Sequence, residues 1–292
     1  MLPVFFLAAA LATGVAAHQA VWHPGMYCRG GNVPGQDDSN TDIVKNPLFN
    51  LTKSQWWMQR DRNCHLFSPT NGDSLALPAG GSFTVEIAEN RAVTTLSYDG
   101  ANVSDWPDGL QHPEDWHGGG PGEGCLDGNP DGQGGALHTK NQQHQPGSAF
   151  AISYQADINE VTMENLVVFT TKYHTPWKRL TTYEVPGDMP ACPVGGCYCA
   201  WLWVPDGCGM PNMYMQNFKC HVTNVRSTAK PLALPAKPPV YCHNNPSACV
   251  SGPKQMIAWH QLGGNNVVTP GDVTPPYNMK MGFPEGAQND IF

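Results

Sequence analysis

Histidines are the residues of this sequence whose number and placement first indicate chemistry. The chain contains eleven of them. A Gly-, Pro- and Asp-rich stretch over residues 99–148 has almost no hydrophobic periodicity and holds His112, His117, His138 and His144. Imidazole nitrogens are suitable ligands for transition metals. Because an irregular stretch of this length is unusual in a compact domain unless it is functional or disordered, it is a candidate metal-binding loop.

His18 is set apart from the other histidines because processing can make it the first residue of the chain. The apolar run over residues 3–11 is too short to span a bilayer, and it is followed by Val15-Ala16-Ala17, the small residues typical of a signal-peptide cleavage site. We expect residues 1–17 to be removed and the mature protein to be secreted and extracellular. A mature chain that begins at His18 offers two nitrogens from one residue, the α-amine and the imidazole. A second imidazole completes a three-nitrogen set that suits one copper ion.

The sequence offers several candidates for that second imidazole. His117 lies in the segment Trp116-His117-Gly118-Gly119-Gly120, where the glycines let the backbone approach a metal or a substrate closely. Cys125 follows shortly afterwards and could fix this loop by a disulfide. His112 and His138 compete for the same role, and we predict His117.

Cysteine content agrees with an extracellular protein. The chain has ten cysteines, an even number that predicts up to five disulfides in a secreted protein. The close spacing of Cys192, Cys197, Cys199 and Cys208 leaves a zinc site as an alternative. The sequons that begin at Asn50 and Asn102 predict glycosylated surface loops.

Charge and motifs exclude several classes of function. The formal net charge is −8 with only 16 Lys and Arg residues, which argues against a nucleic-acid partner. No segment after the apolar leader has the uninterrupted apolar length of a membrane helix, so we expect no membrane association. We also expect the protein to be a monomer. The sequence lacks the G-x-S-x-G and H-E-x-x-H motifs of serine hydrolases and zinc proteases. No acidic residues are marked as a glycosidase pair, although their spacing depends on the fold.

The elements that must position these residues are predicted to be strands. The 27 prolines and 31 glycines favour many turns and few long helices. Short segments rich in β-branched and aromatic residues lie between the turns and predict an antiparallel β-sandwich. These predicted strands are Ser82–Ala88, Ala92–Tyr98, Phe150–Tyr154, Leu166–Thr171, Leu180–Val185, Cys199–Val204 and Met213–Val222.

The last of these strands is the most regular. Alternation of side chains along a strand places Tyr214, Gln216, Phe218 and Cys220 on one face. The composition of the chain changes after residue 225, and residues 230–240 form a Pro-rich run. We therefore divide the mature chain into a sandwich domain, residues 18–225, and a C-terminal extension, residues 226–292, without a recognisable binding module. Cys242 and Cys249 would close a small loop in this extension.

Taken together, these motifs resemble the copper-dependent lytic polysaccharide monooxygenases. The segment Ala200-Trp201-Leu202-Trp203, followed by Asn212-Met213-Tyr214-Met215 and Cys220, is similar to the closing strands of the fungal chitin-active family. The long irregular stretch, Cys197-Tyr198-Cys199 and the Pro-rich extension look more like auxiliary activity family 14. The resemblance covers residues 18–225.

The resemblance implies a role for each matching residue. His18 and His117 match the histidine brace that holds copper, and Tyr214 matches the axial tyrosine. Gln216, on the same strand face as Tyr214, is a candidate hydrogen-bond donor to bound oxygen species. Four residues separate Met215 from Cys220, a departure from the chitin-active pattern that leaves Tyr198 as an alternative axial residue.

The resemblance also implies a fold and a reaction. The fold is an immunoglobulin-like or fibronectin-III-like β-sandwich, and the reaction is oxidative cleavage with O₂ or H₂O₂ and an external electron donor. The substrate is an insoluble plant cell-wall polysaccharide, xylan associated with cellulose. A secreted, non-catalytic copper-handling protein with the same brace is the alternative.

Overall fold

The computed structural model describes residues 18–118, 124–126, 135–209, 211–271 and 273–292. The predicted signal peptide over residues 1–17 lies outside these residues. The strands are β1 Ala20–Trp22, β2 Leu75–Pro78, β3 Ser82–Ala88, β4 Ser148–Ser153, β5 Val167–Lys172, β6 Leu180–Glu184, β7 Cys197–Trp203, β8 Tyr214–Thr223 and β9 Gly286–Ala287.

Helical structure in the described residues consists of short turns. The single α-helical turn is α1, Lys53–Trp56. The 3₁₀ segments are Ile43–Lys45, Trp57–Arg62, Cys64–Leu66, Arg91–Val93, Tyr98–Gly100, Gly135–Leu137, Gln142–His144, Ile158–Glu160, Pro246–Ala248 and Met279–Met281. None of the helices in the described ranges is long and apolar enough to cross a membrane.

The strands form two sheets that pack face to face. One sheet has the order β1-β3-β6, and the other has the order β2-β8-β7-β4-β5-β9. Phe83 of β3 packs edge-to-face on Phe150 of β4 with ring centroids 5.1 Å apart, and both belong to one buried cluster. The predicted all-β sandwich is confirmed. The pairing of β2 with β8 is parallel, whereas the other pairings between named strands are antiparallel.

One predicted strand, Ala92–Tyr98, is wrong. A 3₁₀ turn occupies Arg91–Val93, and no strand follows it before Tyr98. The Asn90 side chain accepts a hydrogen bond from the Ala92 backbone N–H at 2.7 Å, and the Thr94 hydroxyl donates to the Arg91 carbonyl at 2.7 Å. Short polar side chains that bond the local backbone in this way compete with a strand ladder.

All ten cysteines form disulfides, as predicted, so the cysteine-rich segment is not a zinc site. The pairs are Cys28–Cys64, Cys125–Cys208, Cys192–Cys197, Cys199–Cys220 and Cys242–Cys249.

The C-terminal extension covers the outer face of the six-stranded sheet. Side chains on that face join side chains of the extension in one buried cluster, which includes Leu202, Met215, Ile257, Tyr277 and Phe283. Strand β9 pairs with β5 and continues the sheet. Since both faces of this sheet are buried, the extension contributes to the hydrophobic core and does not pack as a separate body.

Removing the Phe283 side chain tests whether the extension is part of the hydrophobic core. We expect Phe283→Ala to lower the free energy of unfolding by about 3–5 kcal/mol, because the ring is fully buried under the sheet. Thermal and denaturant unfolding measure the change. Val240→Ala, at an exposed position in the same extension, is the matched control. Equal stability of the two variants would contradict the shared core.

Candidate functional site

Three side chains distant in sequence meet at the hydroxyl of Tyr214, the first residue of β8. The Tyr214 Oη lies 3.1 Å from Nδ1 of His18 and 3.4 Å from Nε2 of His138. The two imidazoles are stacked, with ring centroids 5.7 Å apart and an angle of 27° between their planes. His18 is half-buried and His138 is buried. Two ring nitrogens therefore face one phenol oxygen at the end of the sandwich where β8 begins.

The backbone around Cys208 orients His138. Nδ1 of His138 lies 2.9 Å from the Cys208 carbonyl, and Cys208 is tied to Cys125 by a disulfide. A Cβ on Gly209 would come within 2.8 Å of the same Nδ1, so a side chain there would displace the ring. Because a carbonyl can only accept, the Nδ1 that faces it carries the proton and Nε2 keeps its lone pair.

Gln216 fixes strand β1, which begins two residues after His18. Its Oε1 accepts a hydrogen bond from the Val21 backbone N–H at 2.8 Å, and its Nε2 donates to the Val21 carbonyl. Val21 lies in β1 of the three-stranded sheet and Gln216 in β8 of the six-stranded sheet. Both polar atoms of the amide are thus engaged with the backbone. This side chain therefore bridges the two sheets, and its predicted contact with bound oxygen species stays a prediction.

Tyr214 is buried against Trp203. The two rings are stacked with centroids 4.7 Å apart. The centroid of the Trp203 ring also lies 5.9 Å from that of the His138 ring. Burial raises the pKa of Tyr214 well above its ordinary value of 10. The side chain therefore presents a neutral phenol to the two histidines.

The structure does not bring His117 to this site. His117 is exposed, and its Nδ1 lies 2.8 Å from the carbonyl of its neighbour Gly118. Among the residues that the structure describes, the side chain has no hydrogen bond or ring contact with His18 or Tyr214. The prediction of His117 as the second copper ligand rested on the glycines beside it. His138 instead follows Ala136 and Leu137, which are buried. That apolar pair was the available indication of a histidine held inside the fold.

Tyr198, the alternative axial residue, lies elsewhere. It is paired with Lys219 near the opposite end of the β7-β8 hairpin from Tyr214. Its hydroxyl donates to the Ala156 carbonyl at 3.4 Å, and its ring lies 3.9 Å from the Lys219 ammonium.

Two imidazoles and a phenol form a nitrogen-rich donor set without carboxylates. The described part of the chain contains no group of three or more His, Cys, Asp or Glu side chains arranged to hold a metal.

Substitution of Gln216 tests its bridging role. We expect Gln216→Leu to lower the free energy of unfolding by about 2–4 kcal/mol, because it leaves the buried Val21 N–H and carbonyl without partners. Gln216→Glu keeps an acceptor for the N–H and should have a smaller effect. Denaturant unfolding measures both, and a Leu variant as stable as the parent would exclude the bridge.

Comparisons with known proteins agree on one family. A family model described as lytic polysaccharide monooxygenase AA14 matches residues 1–292. A protein of Pycnoporus cinnabarinus named AA14 family lytic polysaccharide monooxygenase B is 35% identical over 307 aligned residues, which cover 100% of this chain and 75% of that protein. The protein of the same name from Talaromyces rugulosus is 37% identical, with 95% of this chain and 93% of that protein covered.

Other similarities are partial. The AA14 family lytic polysaccharide monooxygenase A of Trametes coccinea is 34% identical over 98% of this chain, which spans 64% of that protein. A solved structure titled as X-ray photoreduction of polysaccharide monooxygenase CBM33 is matched with a TM-score of 0.31 and 10% identity, over 70% of this chain and 100% of that one. The family assignment depends on the sequence matches alone. On these matches, the chain belongs to the AA14 family of lytic polysaccharide monooxygenases, which are copper-dependent oxidoreductases.

Proposed function

We propose that this chain holds one copper ion between His18 and His138, beside Tyr214, and uses it to cleave xylan associated with cellulose. The observation that carries the proposal is the convergence of Nδ1 of His18 and Nε2 of His138 on one hydroxyl. Removal of residues 1–17 would add the α-amine of His18 as the third nitrogen. The protein would then be a secreted, extracellular enzyme.

The residues of the site fit copper. Imidazole nitrogens suit both copper oxidation states, whereas magnesium, calcium and manganese prefer carboxylates, which are not among the three described side chains that meet at Tyr214. The Cys208 carbonyl fixes the protonated nitrogen of His138 and leaves Nε2 as the available donor. Since a metal competes with protons for these nitrogens, copper affinity should fall as the pH is lowered.

The contacts of the residues around the proposed copper site indicate the role of each. When bound, copper would supply the one-electron chemistry that activates O₂ or H₂O₂ with electrons from an external donor. The buried Tyr214 ring closes one side of the site, and Trp203 behind it excludes water. Gln216 holds β1 and therefore His18 in place. The half-buried His18 leaves the site open to a polymer that cannot enter a pocket.

Xylan is proposed over other polysaccharides because of the family resemblance. The low number of charged residues, 14% of the chain, suits a neutral polymer. We propose that the enzyme acts as a monomer on the insoluble surface and receives its electrons from a separate reductant.

Paired histidine variants distinguish the two candidate ligands. We expect His138→Ala to abolish tight copper binding, because it removes the nitrogen that faces His18 and Tyr214. His117→Ala should retain one copper per protein. Isothermal titration of the mature protein with Cu(II), together with the electron paramagnetic resonance spectrum, measures both. Retention of one tightly bound copper by His138→Ala would exclude the proposed ligand set, and its loss in His117→Ala would restore the sequence-based prediction.

Product analysis separates the enzyme from a copper-handling protein. We expect the copper-loaded protein, with ascorbate and xylan-coated cellulose, to release oxidised oligosaccharides that mass spectrometry detects. Omitting the reductant and using His138→Ala are the controls. One tightly bound copper without any oxidised product, on this substrate or on cellulose or chitin, would favour copper handling.

A further inference from the structure

A group of rings at the surface combines two residues of the C-terminal extension with Phe49 of the sandwich domain. It consists of Phe49, Trp259 and His260, which we call the aromatic platform. The Phe49 and His260 rings are stacked, with centroids 6.0 Å apart and an angle of 18° between their planes, and the Trp259 ring lies 5.1 Å from that of His260. His260 is exposed, and Phe49 and Trp259 are partly exposed. Leu262, 65% exposed, extends the apolar surface.

Side-chain amides hold the loop that displays these rings. Nε2 of Gln261 donates to the Leu48 carbonyl at 2.7 Å, and its Oε1 accepts from the Leu51 N–H at 3.1 Å. Oδ1 of Asn266 accepts from the Ala258 N–H at 2.9 Å. The loop has no strand or helix, so these bonds replace a regular ladder. The platform is therefore preorganised.

The backbone at His260 is strained. Its φ is 58°, in the left-handed region that residues other than glycine rarely adopt. Trp259 is partly buried against the outer-face cluster, whereas the His260 ring is exposed to solvent.

The platform lies at the same end of the sandwich as the histidine site. Leu48, adjacent to Phe49, exchanges two backbone hydrogen bonds with Met213, and the Trp259 N–H lies 3.4 Å from the Met213 sulfur. Met213 immediately precedes Tyr214, and the two side chains join clusters on opposite faces of the sheet. The beginning of β8 therefore connects the platform, on the outer face of the six-stranded sheet, with Tyr214 of the histidine site.

We propose that the aromatic platform binds pyranose rings of the polysaccharide chain that reaches the histidine site. The proposal rests on the proposed function. Residues 258–268 contain no Asp, Glu, Lys or Arg, so this surface matches a neutral polymer better than a charged partner. Rigid aromatic rings contribute large contact areas at low entropic cost, as in other recognition surfaces.

Adsorption of copper-free protein tests the platform separately from the chemistry. Binding isotherms on xylan-coated cellulose, without copper or reductant, should show a roughly tenfold loss of affinity in Trp259→Ala and in His260→Ala. Trp259→Phe keeps a ring and should retain most of the binding. Val194→Ala is the control, because Val194 is fully exposed and precedes β7 at the opposite end of the hairpin. Copper stoichiometry should be the same in all these variants, and His260→Ala and Val194→Ala should also keep the unfolding temperature of the parent.

The results separate the platform from the histidine site. Unchanged adsorption of both Trp259→Ala and His260→Ala would overturn the platform, whether or not the enzyme oxidises xylan. An equal loss of adsorption in Val194→Ala would also overturn it, since the binding would then be unspecific. Absence of oxidised products with adsorption that depends on the rings would overturn the proposed function and leave the platform in place.

A glycan at Asn50 is the competing occupant. Asn50 is exposed, directly follows Phe49 and begins a sequon, so an attached sugar could stack on the same rings. Asn50→Gln removes that sugar. The proposal requires glycosylated protein and Asn50→Gln to adsorb equally. Adsorption that appears only in Asn50→Gln would show that the glycan covers the platform and would overturn the proposal.

Discussion

The double hydrogen bond between the Gln216 amide and the Val21 backbone is the constraint on which the site depends. Strand β1 has only three residues and pairs with β3 alone, so few backbone hydrogen bonds within its own sheet hold it in place. The amide of Gln216 supplies the missing donor and acceptor from the opposite sheet, within the core. Low dielectric surroundings strengthen these bonds and make their loss costly. The position of His18 relative to Tyr214 follows from this link.

Other parts of the site depend on constraints of a different kind. His138 comes from an irregular loop, and its orientation is determined by a carbonyl and by the disulfide beside it. Tyr214 occupies the first position of a regular strand and is held by stacking on Trp203. The site thus combines a residue held across the core, a residue held by a cross-linked loop and a residue held by strand packing. A metal would join elements that already have separate supports.

Much of the sandwich could be predicted from the sequence, because alternation and β-branched residues mark buried strands directly. The same alternation placed Tyr214 and Gln216 on one face, which is correct. The role of Gln216 as a bridge between the sheets could not be predicted, because its partner Val21 lies 195 residues away in sequence. His138 was a stated alternative, and the apolar pair Ala136-Leu137 before it was the local signal, but the carbonyl that orients its ring lies 70 residues away in sequence. The strands β1, β2 and β9 were missed because they are too short to show periodicity.

The distances in sequence within the site have a consequence for folding. Tyr214 is separated by 196 residues from His18 and by 76 residues from His138. Contacts of such separation form late, because the entropy of closing long loops must be lost first. The complete donor set consequently exists only in the finished fold. Metal uptake at Tyr214 would then indicate that both sheets have assembled, because the nascent chain presents its imidazoles far apart in sequence and without the formed site.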